Sequence, residues 1–141
     1  MTRRLASIWA AAAVAVALAG CGGGSRDADV CANADGALTN KAFVFVQTPK
    51  SGERVSSGFR IVGCSSTFEA TVNWRLRAKD GHALGSGFTT QGGGLKPGRF
   101  RFTVDYTIGA RQIGRLEVYE PRVTQEGFPT VRNVVPLVLE P

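Results

Sequence analysis

The stretch ATVNWRLRA, residues 70–78, shows the clearest two-residue period in the chain. Its apolar side chains are Ala70, Val72, Trp74, Leu76 and Ala78, and every residue between them is polar or charged. Successive side chains of a β-strand point to opposite faces, so the pattern predicts a strand with one face in a core and the other in water. The Asp80-Gly81 pair that follows is a strong signal for a hairpin turn.

Six further runs of β-branched and aromatic residues surround this stretch, and turn-rich segments separate them. They cover residues 42–48, 59–66, 82–89, 99–107, 113–120 and 130–140. Glycines in the run at 82–89 indicate a bulge or an edge strand. Pro136 indicates the same for the last run, because proline cannot donate to a strand ladder. Inward-facing positions are predicted at Phe100, Phe102, Val104, Tyr106, Leu116, Val118, Val135, Leu137 and Leu139.

Seven short strands with turns between them and no helical period predict an all-β fold. The expected architecture is an immunoglobulin-like sandwich of two sheets with about seven strands. Trp74 suits this architecture, in which a tryptophan on the third strand fills the core. A small open barrel is the alternative.

The first twenty residues predict a secretory signal. Arg3 and Arg4 precede an apolar run from Leu5 to Gly20, and a charged head, a short apolar stretch and small residues at the cleavage site are typical of such signals. The run has about 16 residues, whereas a membrane-spanning helix needs roughly 20.

The end of this segment, Leu18-Ala19-Gly20-Cys21, resembles the bacterial lipobox. The resemblance implies cleavage before Cys21, diacylglycerol on its sulfur and acylation of the new amine, so that acyl chains hold the protein on a membrane surface. The expected location is extracytoplasmic, on the cell membrane or on the outer membrane of a two-membrane bacterium. A plain secretory signal or an uncleaved anchor is the alternative.

Residues 21–41 are rich in small and polar residues and are interpreted as a flexible tether, which leaves 42–141 as one domain. Cleavage would lower the formal net charge from +6 to +4, because two arginines leave with the signal. The charges are dispersed along the chain. Arg99 and Arg101 alternate with two phenylalanines, as in any half-buried strand, and nucleic acid is not an expected partner.

Cys31 and Cys64 remain once Cys21 carries lipid. Outside the cytoplasm two thiols usually form a disulfide. This one would close a loop of about 33 residues and would shorten the free tether. Two free thiols in a reducing environment are the alternative.

The stretch PKSGERVSSGFRIVGCSSTFEATVNWRLRAKDGHAL, which begins at Pro49, resembles the immunoglobulin-like domain of bacterial spore germination. That family often follows a GerMN-type germination domain in lipoproteins, and this chain is too short to hold one as well. The matching positions are Pro49, Gly52, Val55, Ser57, Phe59, Ile61, Gly63, Phe68, Glu69, Val72, Trp74, Leu76, Asp80 and Gly81, and weaker matches extend the resemblance over residues 43–140. The resemblance implies the sandwich fold. It does not support the cysteine pair, because Cys64 stands where the family usually has a small residue and Cys31 lies outside it.

Residues that could perform catalysis or bind a metal are scarce. His82 is the single histidine and stands beside a predicted turn, and Glu69 is expected to cap a turn or to pair with an arginine. The sequence shows no framed nucleophile, no phosphate loop and no set of zinc ligands. We therefore expect neither an enzyme nor a cofactor.

The predicted strands at 70–78, 113–120 and 130–140 suggest a binding surface. If they share a sheet, its outer face carries Arg75, Arg77, Arg115, Glu117, Tyr119 and Arg132. Such a mixed polar face could recognise an acidic partner, and an ordinary solvated face is the alternative. The predicted function is a lipid-anchored binding or structural module that docks an envelope protein in a sporulation- or germination-like process. An accessory domain that binds peptidoglycan or another envelope polysaccharide is the second hypothesis.

Overall fold

A computed structural model describes residues 30–33, 36–67, 69–91, 96–121 and 131–141. The predicted signal, Cys21, and the loops around Gly92 and Gly127 lie outside these residues. The strands are β1 (Phe43–Thr48), β2 (Arg54–Val55), β3 (Phe59–Ser66), β4 (Thr71–Arg77), β5 (Ala83–Thr90), β6 (Gly98–Val104), β7 (Gln112–Tyr119) and β8 (Arg132–Leu139). One turn of 3₁₀-helix, Val30–Ala32, precedes them. In the described part of the chain, no helix is long and apolar enough to cross a membrane.

The strands form two sheets, one with the order β1-β3-β6 and one with the order β2-β8-β7-β4-β5. All pairs are antiparallel except β2 with β8. The sheets enclose a shared apolar core, so the predicted immunoglobulin-like sandwich is confirmed. The core side chains include Val44, Val46, Ile61, Val72, Leu76, Phe100, Val104, Leu116, Val118, Val135, Leu137 and Leu139.

Seven of the eight strands coincide with predicted runs, and β2 is the addition. It has only two residues, too few to show any period, and it exists because Arg54 and Val55 pair with Val138 and Leu139. The prediction that the last run lies at an edge or carries a bulge is wrong, because β8 lies between β2 and β7 and its register with β7 has no shift. Pro136 is tolerated in this interior strand because of the pairing with β2. The proline carbonyl accepts a hydrogen bond from the Gly52 N–H at 2.8 Å, on the side of β8 that faces β2, so the missing proline N–H leaves no donor unpaired within the sheet.

Trp74 is half-buried and packs against the core where β5 has glycines. Gly87 lies opposite Trp74 in the β4–β5 register, and a Cβ atom at Gly87 would lie 3.0 Å from the indole ring. The indole stacks on Phe102 at a centroid distance of 5.2 Å. For the run at 82–89, the prediction of a bulge or an edge strand is confirmed, since β5 is an edge strand and its register with β4 shifts between Leu76 and Arg77.

Gly63 permits a second close approach, in the smaller sheet. It pairs with Val46 on one side and Phe100 on the other. A Cβ atom here would lie 2.7 Å from Cε2 of Phe100 and also within overlap distance of the Phe45 carbonyl oxygen. The Phe100 ring therefore packs directly on the backbone of β3 at Gly63.

The Cys31–Cys64 disulfide joins the segment before β1 to the smaller sheet, with a Cα–Cα distance of 5.5 Å. This bond confirms the predicted cysteine pair. Cys64 alternates with the inward residues of β3, so it belongs to the outer face of the sheet. It is nevertheless fully buried, because Cys31 and its neighbours lie against that face.

Tyr106 joins two distant parts of the chain. Its buried hydroxyl lies 2.7 Å from the carbonyl oxygens of both Val55 and Glu140, and its single O–H donates between them. The backbone N–H of Tyr106 donates to the Ser57 hydroxyl at 2.9 Å. Burial raises the pKa of Tyr106 above the usual tyrosine value, because the ionised ring would lose hydration, and the negative charge of Glu140 acts in the same direction.

We expect Tyr106→Phe to lower the free energy of unfolding by about 1–2 kcal/mol at neutral pH, because the hydroxyl no longer donates to the carbonyl oxygens of Val55 and Glu140, and the Val55 oxygen keeps only the Glu140 N–H. The folded-state pKa is raised, so the ionisation-linked stability is complete below about pH 10 and is lost as the pH rises through the folded-state pKa. Urea denaturation of both proteins between neutral and alkaline pH measures this. The difference in the free energy of unfolding between wild type and variant should narrow only above about pH 10. A difference that does not change there would contradict the hydrogen-bonded, buried state of the Tyr106 hydroxyl.

Candidate binding face

The outer surface of the five-stranded sheet is built from side chains that alternate with the core residues. The condition on which the predicted binding surface depended is met, because the predicted strands at 70–78, 113–120 and 130–140 are β4, β7 and β8 and lie side by side. The registers align outward residues in cross-strand rows. These rows are Phe88–Asn73–Tyr119–Arg132, Ser86–Arg75–Glu117–Val134, Arg77–Arg115–Pro136 and Ile113–Val138–Arg54. We call this surface the outer five-stranded face.

Glu117 is at the centre of the outer five-stranded face. Arg75 Nε donates to its Oε2 atom, and Arg77 Nε lies 3.9 Å from its Oε1 atom. The Glu117 side chain is only 12% exposed. One carboxylate therefore serves both arginines, and the low exposure strengthens the attraction relative to a pair in open water.

Each of the two arginines also has a second contact. The Cζ atom of Arg75 lies 5.1 Å from the centre of the Tyr119 ring, as in a cation–π interaction. Arg77 Nη1 donates to the Gly81 carbonyl oxygen at 2.8 Å and so supports the β4–β5 turn. Arg75 and Arg77 are thus committed to contacts inside the domain.

Arg115 and Arg132 differ from this pair. Both are exposed, and neither forms a salt bridge within the described residues. Arg115 stands directly opposite Arg77 in the β4–β7 register, so two positive charges are neighbours there. Arg132 stands opposite Tyr119 in the β7–β8 register. The five predicted binding residues therefore share one face but divide into a structural pair and an available pair, with Tyr119 between them.

The outer five-stranded face also carries exposed apolar side chains that were not predicted from the sequence. Phe88 is 74% exposed, Ile113 51% and Val134 41%. Phe88 could have been identified from the alternation in GSGF, because glycines that face the core at 85 and 87 place Ser86 and Phe88 outside. Val134 could not, because it lies in a run of apolar residues that hides the period.

The other predicted candidates do not gather into a site. His82 Nδ1 lies 2.6 Å from Asp80 Oδ1 in the β4–β5 turn, where both residues are exposed. Asp80 accepts hydrogen bonds from the backbone N–H and from the ring of His82, and both lower the pKa of its carboxyl group. Glu69 is exposed in the turn before β4. Among the described residues, no group of three histidine, cysteine or acidic side chains could hold a metal ion.

The comparison with protein families agrees with the fold. The sequence profile of the immunoglobulin-like domain of bacterial spore germination matches residues 43–124, whereas the resemblance noted above extends to residue 140. Among solved structures, CopC from Methylosinus trichosporium OB3b is similar with a TM-score of 0.43 and 11% identity, over 70% of this chain and 94% of that chain. A comparison with curated proteins finds no match. The profile covers more than half of the chain and spans β1 to β7, and the chain belongs to the family of immunoglobulin-like domains of bacterial spore germination.

Proposed function

We propose that this protein is a non-catalytic, lipid-anchored module of the bacterial cell envelope and that its outer five-stranded face docks an acidic protein partner. The lipobox at Leu18–Cys21 supports the anchor and the extracytoplasmic location. The family description supports an envelope process of the sporulation or germination kind as the setting. The observation that carries the docking proposal is the presence of exposed arginines beside exposed apolar side chains on one rigid sheet.

The electrostatics of this face favour an acidic partner. Glu117 compensates Arg75 and Arg77, while Arg115 stands opposite Arg77 with no carboxylate of its own among the described residues. An acidic side chain of a partner would relieve this repulsion and could accept two hydrogen bonds from a guanidinium. Arg132, beside Tyr119, offers a second cation of the same kind.

The apolar side chains favour a protein over a polysaccharide. Phe88, Ile113 and Val134 are exposed apolar side chains that a protein partner would cover. Protein interfaces are enriched in aromatic residues and arginine, and a few such residues supply most of the binding energy. The mixture of Tyr119, Phe88, Arg115 and Arg132 on three strands of one sheet has this composition.

The test is crosslinking in cells with the full-length protein, followed by mass spectrometry of the captured species. We expect reproducible capture of one envelope protein, and we expect Arg115→Glu/Arg132→Glu to reduce it at least about tenfold, because each reversed charge costs 1 kcal/mol or more at an interface. The matched control is Lys41→Glu/Lys79→Glu. It changes the net charge equally at exposed positions outside the face.

Each outcome has a defined meaning. Equal loss in both double variants would indicate a dependence on net charge alone and would remove the outer five-stranded face from the proposal. Capture of wall fragments only, competed by soluble peptidoglycan, would replace the docking proposal with the polymer-binding hypothesis. Secretion of the protein without lipid would refute the anchor and leave the docking face intact.

A further inference from the structure

The outer surface of the smaller sheet has a different charge pattern from the face described above. β1, β3 and β6 have 6, 8 and 7 residues and include no aspartate or glutamate. Arg60 and Arg101 are exposed on the outer side, where Arg60 pairs with Thr103 and Arg101 with Val62. The first carboxylate along β6 is Asp105, just beyond the end of the strand. We call this surface the outer three-stranded face.

Arg60 and Arg101 differ from Arg75 and Arg77, which Glu117 compensates on the opposite face. Arg60 and Arg101 form no salt bridge within the described residues. They are diagonal neighbours on adjacent strands, a spacing at which long side chains reach the same ligand. Phe45, 39% exposed, adds an apolar side chain beside Cys64.

The disulfide determines which face lies near the start of the chain. Cys64 lies on the outer three-stranded face, and Cys31 is bonded to it. Only residues 22–30 separate Cys31 from Cys21. Ten Cα steps span at most about 36 Å when fully extended, and about 16–19 Å as a random coil. Without the bond, the first fixed point would be β1 at Phe43, and the maximum reach would exceed about 70 Å.

We propose that the outer three-stranded face binds anionic phospholipid headgroups, with Arg60 and Arg101 as the contacting cations. This inference rests on the proposed anchor at Cys21, which places the membrane within reach of that face. The guanidinium group matches phosphate oxygens in a two-point geometry, and the field of an anionic surface acts only within about 10 Å. The anchor supplies the proximity, so weak attraction is enough to orient the domain. The outer five-stranded face then points away from the membrane, toward its partner.

The experiment uses the lipidated protein reconstituted in vesicles and an arginine-specific reagent, phenylglyoxal, with mass spectrometry of each labelled arginine. Arg115 and Arg132 serve as internal controls in the same molecule. In vesicles that contain phosphatidylglycerol, we expect Arg60 and Arg101 to react about fivefold more slowly than in vesicles of phosphatidylcholine alone. Added salt should remove the difference. In the variant Arg60→Gln/Arg101→Gln, phenylglyoxal should label Arg115 and Arg132 more slowly than in the wild type. The domain then loses its orientation, so these two arginines spend more time near the membrane.

The outcomes separate this inference from the proposed function. Equal protection of all four arginines, or protection that does not depend on phosphatidylglycerol, would overturn the inference while the anchor stands. Failure of the protein to float with the vesicles would refute the anchor, and the orientation would fall with it. Protection of Arg115 and Arg132 instead of Arg60 and Arg101 would reverse the orientation and overturn the inference.

Discussion

Replacing Gly63 with alanine is expected to lower the free energy of unfolding by about 3 kcal/mol or more. The new methyl group would overlap the Phe100 ring and the carbonyl oxygen of Phe45. Phe100 is only 2% exposed, so its ring has no free space to enter. The Phe45 oxygen belongs to the β1 backbone, which the ladder with β3 holds in place. Neither neighbour can yield without opening the sheet or displacing a core ring.

Gly109→Ala is the matched control for this prediction. A Cβ atom at Gly109 meets nothing within 4 Å, so the same substitution there should change stability by less than about 0.5 kcal/mol. Urea denaturation monitored by the fluorescence of Trp74 gives both values. If the Gly63→Ala and Gly109→Ala variants unfold at the same urea concentration, the close packing of Phe100 on Gly63 of β3 would be contradicted.

Removing the disulfide is expected to cost about 3–4 kcal/mol, because the bond closes a loop with a sequence separation of 33 residues and so restricts the unfolded chain. For a domain of this size the loss should lower the melting temperature by more than about 10 °C. The double variant Cys31→Ala/Cys64→Ala avoids leaving an unpaired thiol. Calorimetry of the variant and of the wild type with and without a reducing agent measures the effect.

The single variants provide the control, since either one already breaks the bond. Cys31→Ala, Cys64→Ala and the double variant should therefore be destabilised by similar amounts, and the effects should not add. A wild-type melting temperature that reduction leaves unchanged would contradict the prediction. Additive losses would show that packing of the two side chains, and not the crosslink, is responsible.

The strands and the core could be predicted from the sequence because a two-residue period is a local property. Val72, Leu76, Leu116 and Leu137 face inward for the same reason that Arg75 and Arg115 face outward. The five predicted binding residues share one face only because β4, β7 and β8 are neighbours in the sheet. No local sequence pattern shows which strands are neighbours.

The features that escaped prediction depend on register. Glu117 pairs with Arg75 because β4 and β7 align those two positions, and a shift by one residue would have turned Glu117 into the core. This alignment is why Arg75 and Arg77 turned out to be structural and why Arg115 and Arg132 are the better candidates for binding. β2 escaped for a related reason, since its two residues are a strand only in relation to β8.

The position of β8 between β2 and β7 has a consequence for the order of folding. Residues 132–139 form an interior strand of the five-stranded sheet, and they complete pairings with residues as distant as Arg54. Until these residues are available, the sheet ends at β7 and Leu116 and Val118 lack part of their cover. Contacts between such distant residues slow folding, because long loops must close before any pairing is gained. The domain should therefore reach its native state in one late step, after residues 132–139 have become available for pairing. A chain that lacks these residues should not complete the five-stranded sheet.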